Sequence, residues 1–510
     1  MSRFAADDAV DAVVIGTGAG GAPLLARLAR AGLRVVALEA GRAWEPEEHT
    51  PDETGASGIY WMDERLSGGD TPTAFGGNNS GTGVGGSTLH WGAFCPRPDP
   101  RDLRLKSLTG AGEDWPIPHA ELVDYIGRVE RFIGVSGPSP YPWDPDRRYP
   151  LPPVARNAPA DAMARGCAGL GIVATDAPAA LVSRDWAQEG GALRQACVNC
   201  GACHQGCRNA AKTSMDTTYL PWAVAAGAEV RSGAHVHAVE RDQAGRITAV
   251  VYRQDGVDRR QRCAALVMAA GGIETPRMLL HWGMANGSGQ IGRNFMAHVA
   301  TQVWGRFDAE MRMNRGYPSS LITEDFVRPD GDGFAGGYLV QSLGVQPATW
   351  AAGLVRGAGL WGRALVDRID GYLHMAGIGI NGECLPGEAN RLVLADETDA
   401  LGIPKARIDF SYGANERAID AHAVATLTAI WEAAGARDLF QVQRSAHTIG
   451  TCRMGTDRDT AVVDADGRSF DVPNLWICDN SVFPSSLAAN PALTIMALGL
   501  RTAERMLAAR

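Results

Sequence analysis

Short apolar runs flank a predicted helix within the first forty residues. Residues 11–15 read Asp-Ala-Val-Val-Ile and residues 34–39 read Arg-Val-Val-Ala-Leu-Glu, two runs of the length of strands. The apolar residues between them suit a helix that packs on a sheet: Leu24, Leu25, Leu28 and Leu33. The pattern therefore predicts strand, helix and strand, the repeating unit of a parallel α/β sheet.

Further strand patterns occur in the middle of the chain, and a helix pattern closes it. Segment 228–270 alternates as two strands around a turn at 242–245, then continues as a buried strand that leads into a helix. Other strand-like runs occupy 300–307, 391–394 and 406–410. After Pro491, apolar residues recur at helical spacing. These elements together predict a mixed α/β fold.

The composition is that of a soluble globular protein. Of 510 residues, 45% are hydrophobic and 21% charged, and the length calls for more than one structural region. A net charge of −9 argues against nucleic acid or an anionic membrane as a partner. No run reaches the roughly 18 apolar residues of a membrane helix, so we expect no membrane insertion. The N-terminus lacks a signal-peptide pattern, which favours the cytoplasm and leaves export with a partner subunit open.

The glycines between the first strand and the helix have the spacing G-x-G-x-x-G. Gly16 allows a tight turn, Gly18 lets the backbone approach a pyrophosphate, and Gly21 lets the helix pack closely on the strand. Glu39 ends the second strand, where a carboxylate can accept hydrogen bonds from a ribose. Because the motif lies between a strand and a helix, it predicts a dinucleotide site, against the alternative of a tight turn alone. The spacing does not choose between NAD and FAD.

Three later motifs resemble those of a known family. A glycine-rich loop at 76–92 contains Gly-Val-Gly-Gly-Ser at 83–87, followed by His90-Trp-Gly. Two C-terminal runs contain His447, Asp479 and Asn490. The three motifs closely resemble the glucose-methanol-choline (GMC) family of FAD-dependent oxidoreductases, and among its members the pyranose oxidases and bacterial FAD-dependent sugar dehydrogenases.

This resemblance implies a fold with two main parts. A Rossmann-like FAD-binding domain would comprise residues 1–110, 220–298 and 436–510, and a substrate domain built on an antiparallel sheet would comprise residues 299–435. Residues 111–219 would form a lid or insertion. The implied fold class is α/β, or α+β for the chain as a whole.

The resemblance also assigns FAD-binding residues. Beyond the first motif these are Gly83, Gly85, Gly86, Ser87, His90 and Asp479. In sugar-oxidising members, a histidine in the position of His90 lies beside the dimethylbenzene edge of the flavin and is covalently attached in some of them. A buried, hydrogen-bonded histidine is the alternative for His90. His298 lies in another matching segment and is expected to be structural.

His447 and Asn490 are implied to lie over the reactive part of the flavin, and their chemistry suits alcohol oxidation. An alcohol gives up a hydride readily only as its hydroxyl proton leaves, so a base is needed within hydrogen-bond reach. We expect His447 to be that base and Asn490 to donate to the developing alkoxide. The alternatives are a core histidine and a helix cap, since the final helix begins near Asn490.

Four cysteines fall within eleven positions: Cys197, Cys200, Cys203 and Cys207. Their C-x2-C-x2-C-x3-C spacing is that of ferredoxins and predicts an iron–sulfur cluster, 3Fe-4S or 4Fe-4S, with zinc, disulfides or a vestigial site as alternatives. The residues that follow resemble those of bacterial FAD-dependent glucose and gluconate dehydrogenases. A cluster would pass electrons from the flavin to a cytochrome, a quinone or a small partner subunit.

We therefore expect FAD-dependent oxidation of a sugar or other alcohol hydroxyl to a carbonyl, with a non-oxygen electron acceptor. If the cysteines hold no iron, an oxidase that forms hydrogen peroxide is the alternative. A lyase that keeps FAD and performs no net redox chemistry is a further alternative, because such enzymes occur in the same family.

Overall fold

The computed structural model describes residues 3–62, 65–71, 80–191, 193–328 and 333–510, so positions 76–79 of the second glycine-rich loop lie outside it. The strands are β1 (Val10–Ile15), β2 (Val35–Leu38), β3 (Leu66–Gly68), β4 (Thr175–Asp176), β5 (Trp186–Ala187), β6 (Leu193–Arg194), β7 (Glu229–Arg231), β8 (His235–Arg241), β9 (Ile247–Gln254), β10 (Val257–Met268), β11 (Met296–Val299), β12 (Gln302–Arg306), β13 (Leu321–Thr323), β14 (Tyr338–Leu343), β15 (Met375–Gly382), β16 (Arg391–Thr398), β17 (Pro404–Asp409), β18 (Arg437–Val442), β19 (Ser445–Ile449) and β20 (Leu475–Ile477). The α-helices are α1 (Gly21–Arg30), α2 (Leu105–Thr109), α3 (His119–Ile133), α4 (Ala158–Gly169), α5 (Tyr219–Ala225), α6 (Gly271–His281), α7 (Pro347–Ala358), α8 (Gly362–Asp370), α9 (Ala414–Ala433) and α10 (Ala492–Ala508). Among the described helices, none combines the length and the apolar content needed to cross a bilayer.

A parallel sheet forms around the first strand. Its order is β7-β2-β1-β10-β20, and every neighbouring pair is parallel. β1 is buried along nearly its whole length and pairs Val14 with Ala37 on one side and Val267 on the other. A strand that is covered on both faces needs apolar side chains on both, which is why β1 shows no alternation. The strand, helix and strand predicted at the N-terminus are confirmed.

β10 joins this sheet to an antiparallel meander. Its first half, 257–262, pairs with β9, and β9 pairs with β8 around the predicted turn at 242–245. Its second half, 263–268, pairs with β1 and leads into α6. The two strands, the buried strand and the helix predicted from segment 228–270 onward are therefore confirmed.

A second sheet is antiparallel throughout. Its order is β18-β12-β15-β14-β13-β4, and β11 pairs with both β15 and β19. Together with the parallel sheet it confirms the expected fold class. β18 and β19 follow residue 435, whereas β20 belongs to the parallel sheet, so segment 436–510 contributes strands to both sheets. The division into three domains stays a prediction.

The carboxyl ends of the parallel strands meet at one edge of their sheet. Gly16 follows β1, Glu39 follows β2, Ala269 follows β10 and Asp479 lies just beyond β20. In open α/β sheets, ligands bind outside this edge. The edge is therefore where the fold predicts a cofactor.

Candidate active site

One large cavity lies between this edge and the antiparallel sheet. It has a volume of about 460 Å³, and strands β12, β14, β15 and β19 contribute to its lining. It brings together most of the residues predicted for the site: Gly16, Gly18, Glu39, Gly86, Ser87, His90, His447, Asp479 and Asn490. Gly21, Gly83 and Gly85 are not in its lining and act through the packing of the two glycine-rich turns.

The first glycine turn leaves no room for side chains. Gly16 has a φ of +97°, and a Cβ there would lie 2.4 Å from the carbonyl oxygen of Ala269. A Cβ on Gly21 would lie 2.1 Å from the carbonyl oxygen of Gly16. Gly18 lines the cavity just before α1 begins. Bare backbone next to the positive end of a helix is what a pyrophosphate requires.

The second glycine-rich loop packs directly on the first. A Cβ on Gly86 would lie 2.8 Å from the Cα of Gly18, and the backbone N–H of Gly85 donates to Thr17 Oγ1 at 3.0 Å. Gly83 has a φ of +129° and Gly85 a φ of +112°, so both adopt conformations that favour glycine. The two loops thus form one backbone cradle, on which Gly86 and its neighbour Ser87 face the cavity.

Glu39 is buried at the end of β2. Its carboxylate accepts hydrogen bonds from the N–H and the hydroxyl of Thr17, at 3.1 and 2.8 Å, and from the N–H of Gly41 at 3.1 Å. Burial raises the pKa of Glu39, and these donors oppose the rise. The bonds orient the carboxylate, and its remaining lone pairs are open to a ribose hydroxyl.

Asp479 is buried at the same edge, but its carboxylate is already engaged within the chain. One oxygen accepts from the N–H of Gly271 at 2.8 Å and the hydroxyl of Thr275 at 2.6 Å. The other accepts from the N–H and the hydroxyl of Ser481, at 2.9 and 2.5 Å. These bonds use both carboxylate oxygens of Asp479 and hold the turn that leads from β10 into α6. The position of that turn would set the predicted contact between Asp479 and the cofactor.

His90 lies in the cavity wall with an unused ring nitrogen. Its Nε2 is buried and has no hydrogen-bond partner among the described residues. The ring lies against Tyr60, with the ring centroids 4.7 Å apart. Burial, followed by the charge of Lys212, lowers the pKa of His90 to about 3, so the imidazole is neutral. A buried polar atom without a partner is suited to a ligand.

His447 is held by a second buried histidine. β11 pairs with β19, with His298 opposite Ala446, and His298 Nδ1 lies 2.9 Å from His447 Nδ1. His298 Nε2 donates to the carbonyl oxygen of Leu487 at 2.8 Å, because a carbonyl can only accept. Because a neutral imidazole carries one proton, and that of His298 is on Nε2, His298 Nδ1 accepts a hydrogen bond from His447 Nδ1. His447 therefore carries its proton on Nδ1 and a lone pair on Nε2.

Both histidines are neutral near pH 7. Burial lowers the pKa of His298 to about 4. The pKa of His447 lies well below its ordinary value, first because of burial and then because of His298 and Arg444. His447 is thus in the state in which it can take a proton. His298, which the sequence suggested was structural, is the orienting partner of the predicted base.

Asn490 faces the free nitrogen of His447. Its Nδ2 lies 3.4 Å from His447 Nε2, and its Oδ1 is buried without a partner in the described part of the chain. Pro491 occupies the N-cap of α10, with no side-chain capping bond. The structure therefore does not show the helix-cap alternative for Asn490, and it leaves the amide open to a ligand.

The antiparallel sheet gives the cavity a polar wall, which consists of Gln302, Gln341, Asn381 and Arg444 and is called here the amide wall. Gln341 Oε1 and Asn381 Nδ2 are buried and have no partner within the described ranges. Buried amide atoms normally have partners, so these two are suited to polar groups of a ligand. None of the four residues lies in a recognisable motif, and sequence reasoning missed them all.

The four cysteines line a second, small cavity together with Lys212 and Tyr317, and none of them forms a disulfide. The backbone N–H groups of Asn199 and Lys212 donate to the sulfurs of Cys197 and Cys207, at 3.4 and 3.2 Å. Such bonds also surround cluster sulfurs. However, no three His, Cys, Asp or Glu side chains in the described ranges converge closely enough to hold a metal ion. The structure therefore does not confirm the predicted cluster.

The two cavities share a wall. His204 follows Cys203 and lines the large cavity, and its Nδ1 lies 3.1 Å from the carbonyl oxygen of His90. The buried ammonium group of Lys212 donates to three carbonyl oxygens, at 2.7, 3.2 and 2.8 Å: those of Leu89, Trp91 and Cys203. The cysteine segment is thus fixed against the loop that carries His90.

Comparisons with known proteins point to one family. Family models described as GMC oxidoreductase match residues 152–300 and 386–499. The 2-methyl-1,2-propanediol dehydrogenase of Mycolicibacterium austroafricanum is 30% identical over 98% of this chain and 95% of its own length. The fructose dehydrogenase large subunit of Gluconobacter japonicus is 29% identical over 98% of this chain and 97% of its own length. The crystal structure of pyridoxine 4-oxidase from Mesorbium loti has the same fold, with a TM-score of 0.71 at 18% identity over 98% of this chain and 99% of that chain.

Proposed function

The chain belongs to the GMC oxidoreductase family, which includes enzymes that oxidise alcohols and sugars, and we propose that it oxidises a hydroxyl of a polyhydroxylated small molecule to a carbonyl. In this proposal His447 takes the hydroxyl proton and Asn490 donates to the oxygen. The observation that supports it best is the His298–His447 pair, which leaves the lone pair of His447 Nε2 beside Asn490 in the large cavity.

The residues of the large cavity fit FAD. The backbone cradle of 16–21 and Gly86 would hold the pyrophosphate, Glu39 would hold the ribose, and His90 would meet the flavin. When bound, FAD supplies the acceptor for the hydride that leaves the carbinol carbon. Acid precipitation distinguishes the two arrangements at His90: a yellow pellet indicates a covalent bond, and a colourless pellet a cofactor held by contacts alone.

The protein's own part in the reaction is to move one proton and to position one oxygen. As the carbinol carbon loses its hydride, the hydroxyl proton passes to His447 Nε2. His447 Nδ1–H keeps its bond to His298 Nδ1, while His298 Nε2–H stays bonded to the carbonyl oxygen of Leu487. Asn490 Nδ2 donates to the substrate oxygen while it becomes a carbonyl oxygen.

The amide wall supports a polyhydroxylated substrate over an aliphatic alcohol. Gln341 Oε1, Asn381 Nδ2 and Asn490 Oδ1 are all buried in the cavity lining without partners among the described residues. Leaving such groups unpaired costs about 1 to 3 kcal/mol each, and a ligand with several hydroxyl groups can satisfy all three. A sugar or a related polyol meets that requirement.

Anaerobic mixing with a panel of sugars, sugar acids and simple alcohols tests this proposal. We expect at least one polyhydroxylated compound to bleach the flavin, and we expect His447→Ala to keep FAD but lose about 10²- to 10⁴-fold in the bleaching rate. His374→Ala, at a half-buried histidine outside the cavity lining, serves as the control. Unchanged bleaching in His447→Ala would exclude His447 as the base, and turnover without bleaching would indicate a lyase.

We propose further that the chain is a dehydrogenase with an iron–sulfur cluster at the four cysteines and a cytochrome or a partner subunit as acceptor. The shared wall supports this assignment, because Cys203 and His204 place the cysteine cavity directly behind the His90 loop. When bound, a cluster would supply a one-electron carrier. One relative is named a large subunit, which fits a multi-subunit enzyme.

Iron content and absorption of the protein purified without oxygen test the cluster. We expect several iron atoms per chain and a broad absorption beyond the flavin bands, both lost in Cys203→Ser, with FAD retained. The sequence offers Cys263→Ser as a control at a buried cysteine outside both cavities. Absence of iron together with rapid formation of hydrogen peroxide would show that the chain is an oxidase.

A further inference from the structure

Arg444 places a charge in the amide wall, and this charge has no carboxylate partner in the described part of the chain. It lines the large cavity with His447, and no carboxylate among the described residues acts on its charge. Its charge contributes to the lowered pKa of both His447 and His204, which line the same cavity. Burial alone lowers the pKa of Arg444, with no opposing contribution from a carboxylate.

The other two arginines of the cavity lining are paired. Arg65 lies 3.0 Å from Glu274, and Arg277 lies 2.8 Å from the same carboxylate and 2.6 Å from Asp399. Because a buried charge is costly unless it is paired, proteins normally supply such partners. Arg444 differs from both in having none among the described residues.

The cavity lining has no spare carboxylate for Arg444 within the described ranges. Its acidic residues are Glu39, Glu274, Asp399 and Asp479. The first and the last accept hydrogen bonds from their own loops, and the other two pair with arginines. Burial lowers the pKa of the lining histidines His90, His204 and His447, so these are neutral. The part of the cavity beside His447 therefore carries the positive charge of Arg444 with no compensating group among the described residues.

We infer that Arg444 binds a carboxylate group of the substrate, so that the chain oxidises a polyhydroxylated acid, such as a sugar acid, in preference to a neutral sugar. This inference rests on the proposed function and specifies its substrate class. The planar guanidinium group matches a carboxylate with two parallel hydrogen bonds, while the amide wall receives the hydroxyl groups.

The same pairing would help the base. Arg444 is one of the causes that hold the pKa of His447 low, and a bound carboxylate cancels its charge. His447 therefore becomes a stronger base when an acidic substrate is in place, which brings its pKa closer to the range that suits general base catalysis.

Binding and reduction can be measured separately on the FAD-loaded enzyme. Sodium acetate titrated into the wild type should perturb the flavin spectrum, whereas acetamide should not, and Arg444→Gln should abolish the perturbation. In anaerobic bleaching, we expect gluconate to be favoured over the matched neutral polyol glucitol, and we expect Arg444→Gln to lower this ratio of acid to polyol rates about 100-fold. The ratio of acid to polyol rates in Arg444→Lys should lie between the ratios of the wild type and Arg444→Gln.

Arg437→Gln, which removes an exposed charge paired with Asp308, controls for a general loss of positive charge. FAD content and melting temperature show whether Arg444→Gln is folded, and Arg444→Lys keeps the test valid if it is not. Gluconate that bleaches the flavin no faster than glucitol, or equally fast in wild type and Arg444→Gln, would overturn the inference, and bleaching by either compound would leave the proposed function intact. Binding of acetate that depends on Arg444, with no compound bleaching the flavin, would instead contradict the proposed function. Phosphate binding far more tightly than acetate through Arg444 would overturn the assignment to a carboxylate.

Discussion

The proton positions on His447 are decided by a single neighbouring residue. His298 accepts from His447 Nδ1 only because its own Nε2 is committed to the carbonyl oxygen of Leu487. Groups that orient a reacting histidine in this way fix which nitrogen carries the lone pair. The base is therefore a property of the pair and not of His447 alone.

His298→Asn is expected to slow flavin bleaching about 10- to 100-fold, a loss of the size seen when the partner of a functional histidine is removed. Its pH profile should also move. His447 acts in its neutral form, so the rate falls as the pH falls through its pKa, and His298 is one of the causes that lower this pKa. Removing His298 raises the pKa, and the acid limb of the profile should shift to higher pH.

Stopped-flow bleaching at several pH values, with FAD content as a control, measures both effects. A slower rate with an unshifted acid limb would mean that His298 only supports the fold around β11.

Asn490→Ala is expected to lower the maximal bleaching rate about 10²-fold, because it removes the donor to the developing alkoxide. The melting temperature should stay close to that of the wild type, since Asn490 makes no capping bond to α10. Steady-state kinetics and thermal unfolding test the two statements together. A lower melting temperature with normal kinetics would restore the capping role.

Sequence motifs identified residues that lie in characteristic runs, but not those whose role depends on contacts across the fold. His447 and Asn490 are in recognisable C-terminal stretches, whereas His298 is 149 positions from its partner and reaches it through the β11–β19 pairing. Arg444 lies three residues before His447, yet its lack of a carboxylate partner among the described residues is visible only once the cavity lining is known. Whether a polar group is paired depends on packing across the fold, so no local sequence pattern predicts it.

At the scale of elements, the glycine-rich turns can be tested with a matched pair of substitutions. Gly86 has a φ of +56° and Gly233 a φ of +63°, so alanine at either position costs a similar conformational strain of about 1 to 3 kcal/mol. Only Gly86 adds a clash, with a new Cβ 2.8 Å from the Cα of Gly18, whereas Gly233 faces open space. Gly86→Ala should therefore lose FAD, and Gly233→Ala should retain it.

The flavin absorption of the two purified variants, relative to protein, gives the answer. Equal FAD content in both would contradict the backbone cradle formed by the two glycine-rich loops.

Elements with a strong local pattern were predictable, and an alanine-rich one was not. β1, α1 and β2 follow from apolar runs and glycine spacing, and α10 from its apolar face. α9, twenty residues long, was not predicted, although Ile419, Ala423, Leu427 and Ile430 are buried along one face of it. Alanines on its other faces weaken the contrast between buried and exposed positions, and that contrast is the main signal for a helix in a sequence.

At the scale of the whole molecule, the site depends on two sheets that meet at one cavity. The parallel sheet contributes the glycine turns and Glu39, while the antiparallel sheet contributes His447 and the amide wall. The sequence suggested both sheets, but segment 436–510 contributes to each of them, so a boundary drawn along the chain does not separate cofactor and substrate functions. Lys212 links the cysteine segment to this assembly, because its ammonium group donates to the carbonyl oxygens of Cys203 and of Leu89, next to His90.

The central claim is that proton removal by His447 accompanies the loss of a hydride from the carbinol carbon. Single-turnover bleaching without oxygen tests it most directly, with the best compound of the panel prepared with and without deuterium at that carbon. The account predicts that deuterium slows bleaching severalfold in the wild type and that His447→Ala bleaches far more slowly with either form. Bleaching that is indifferent both to deuterium and to the loss of His447 would contradict it.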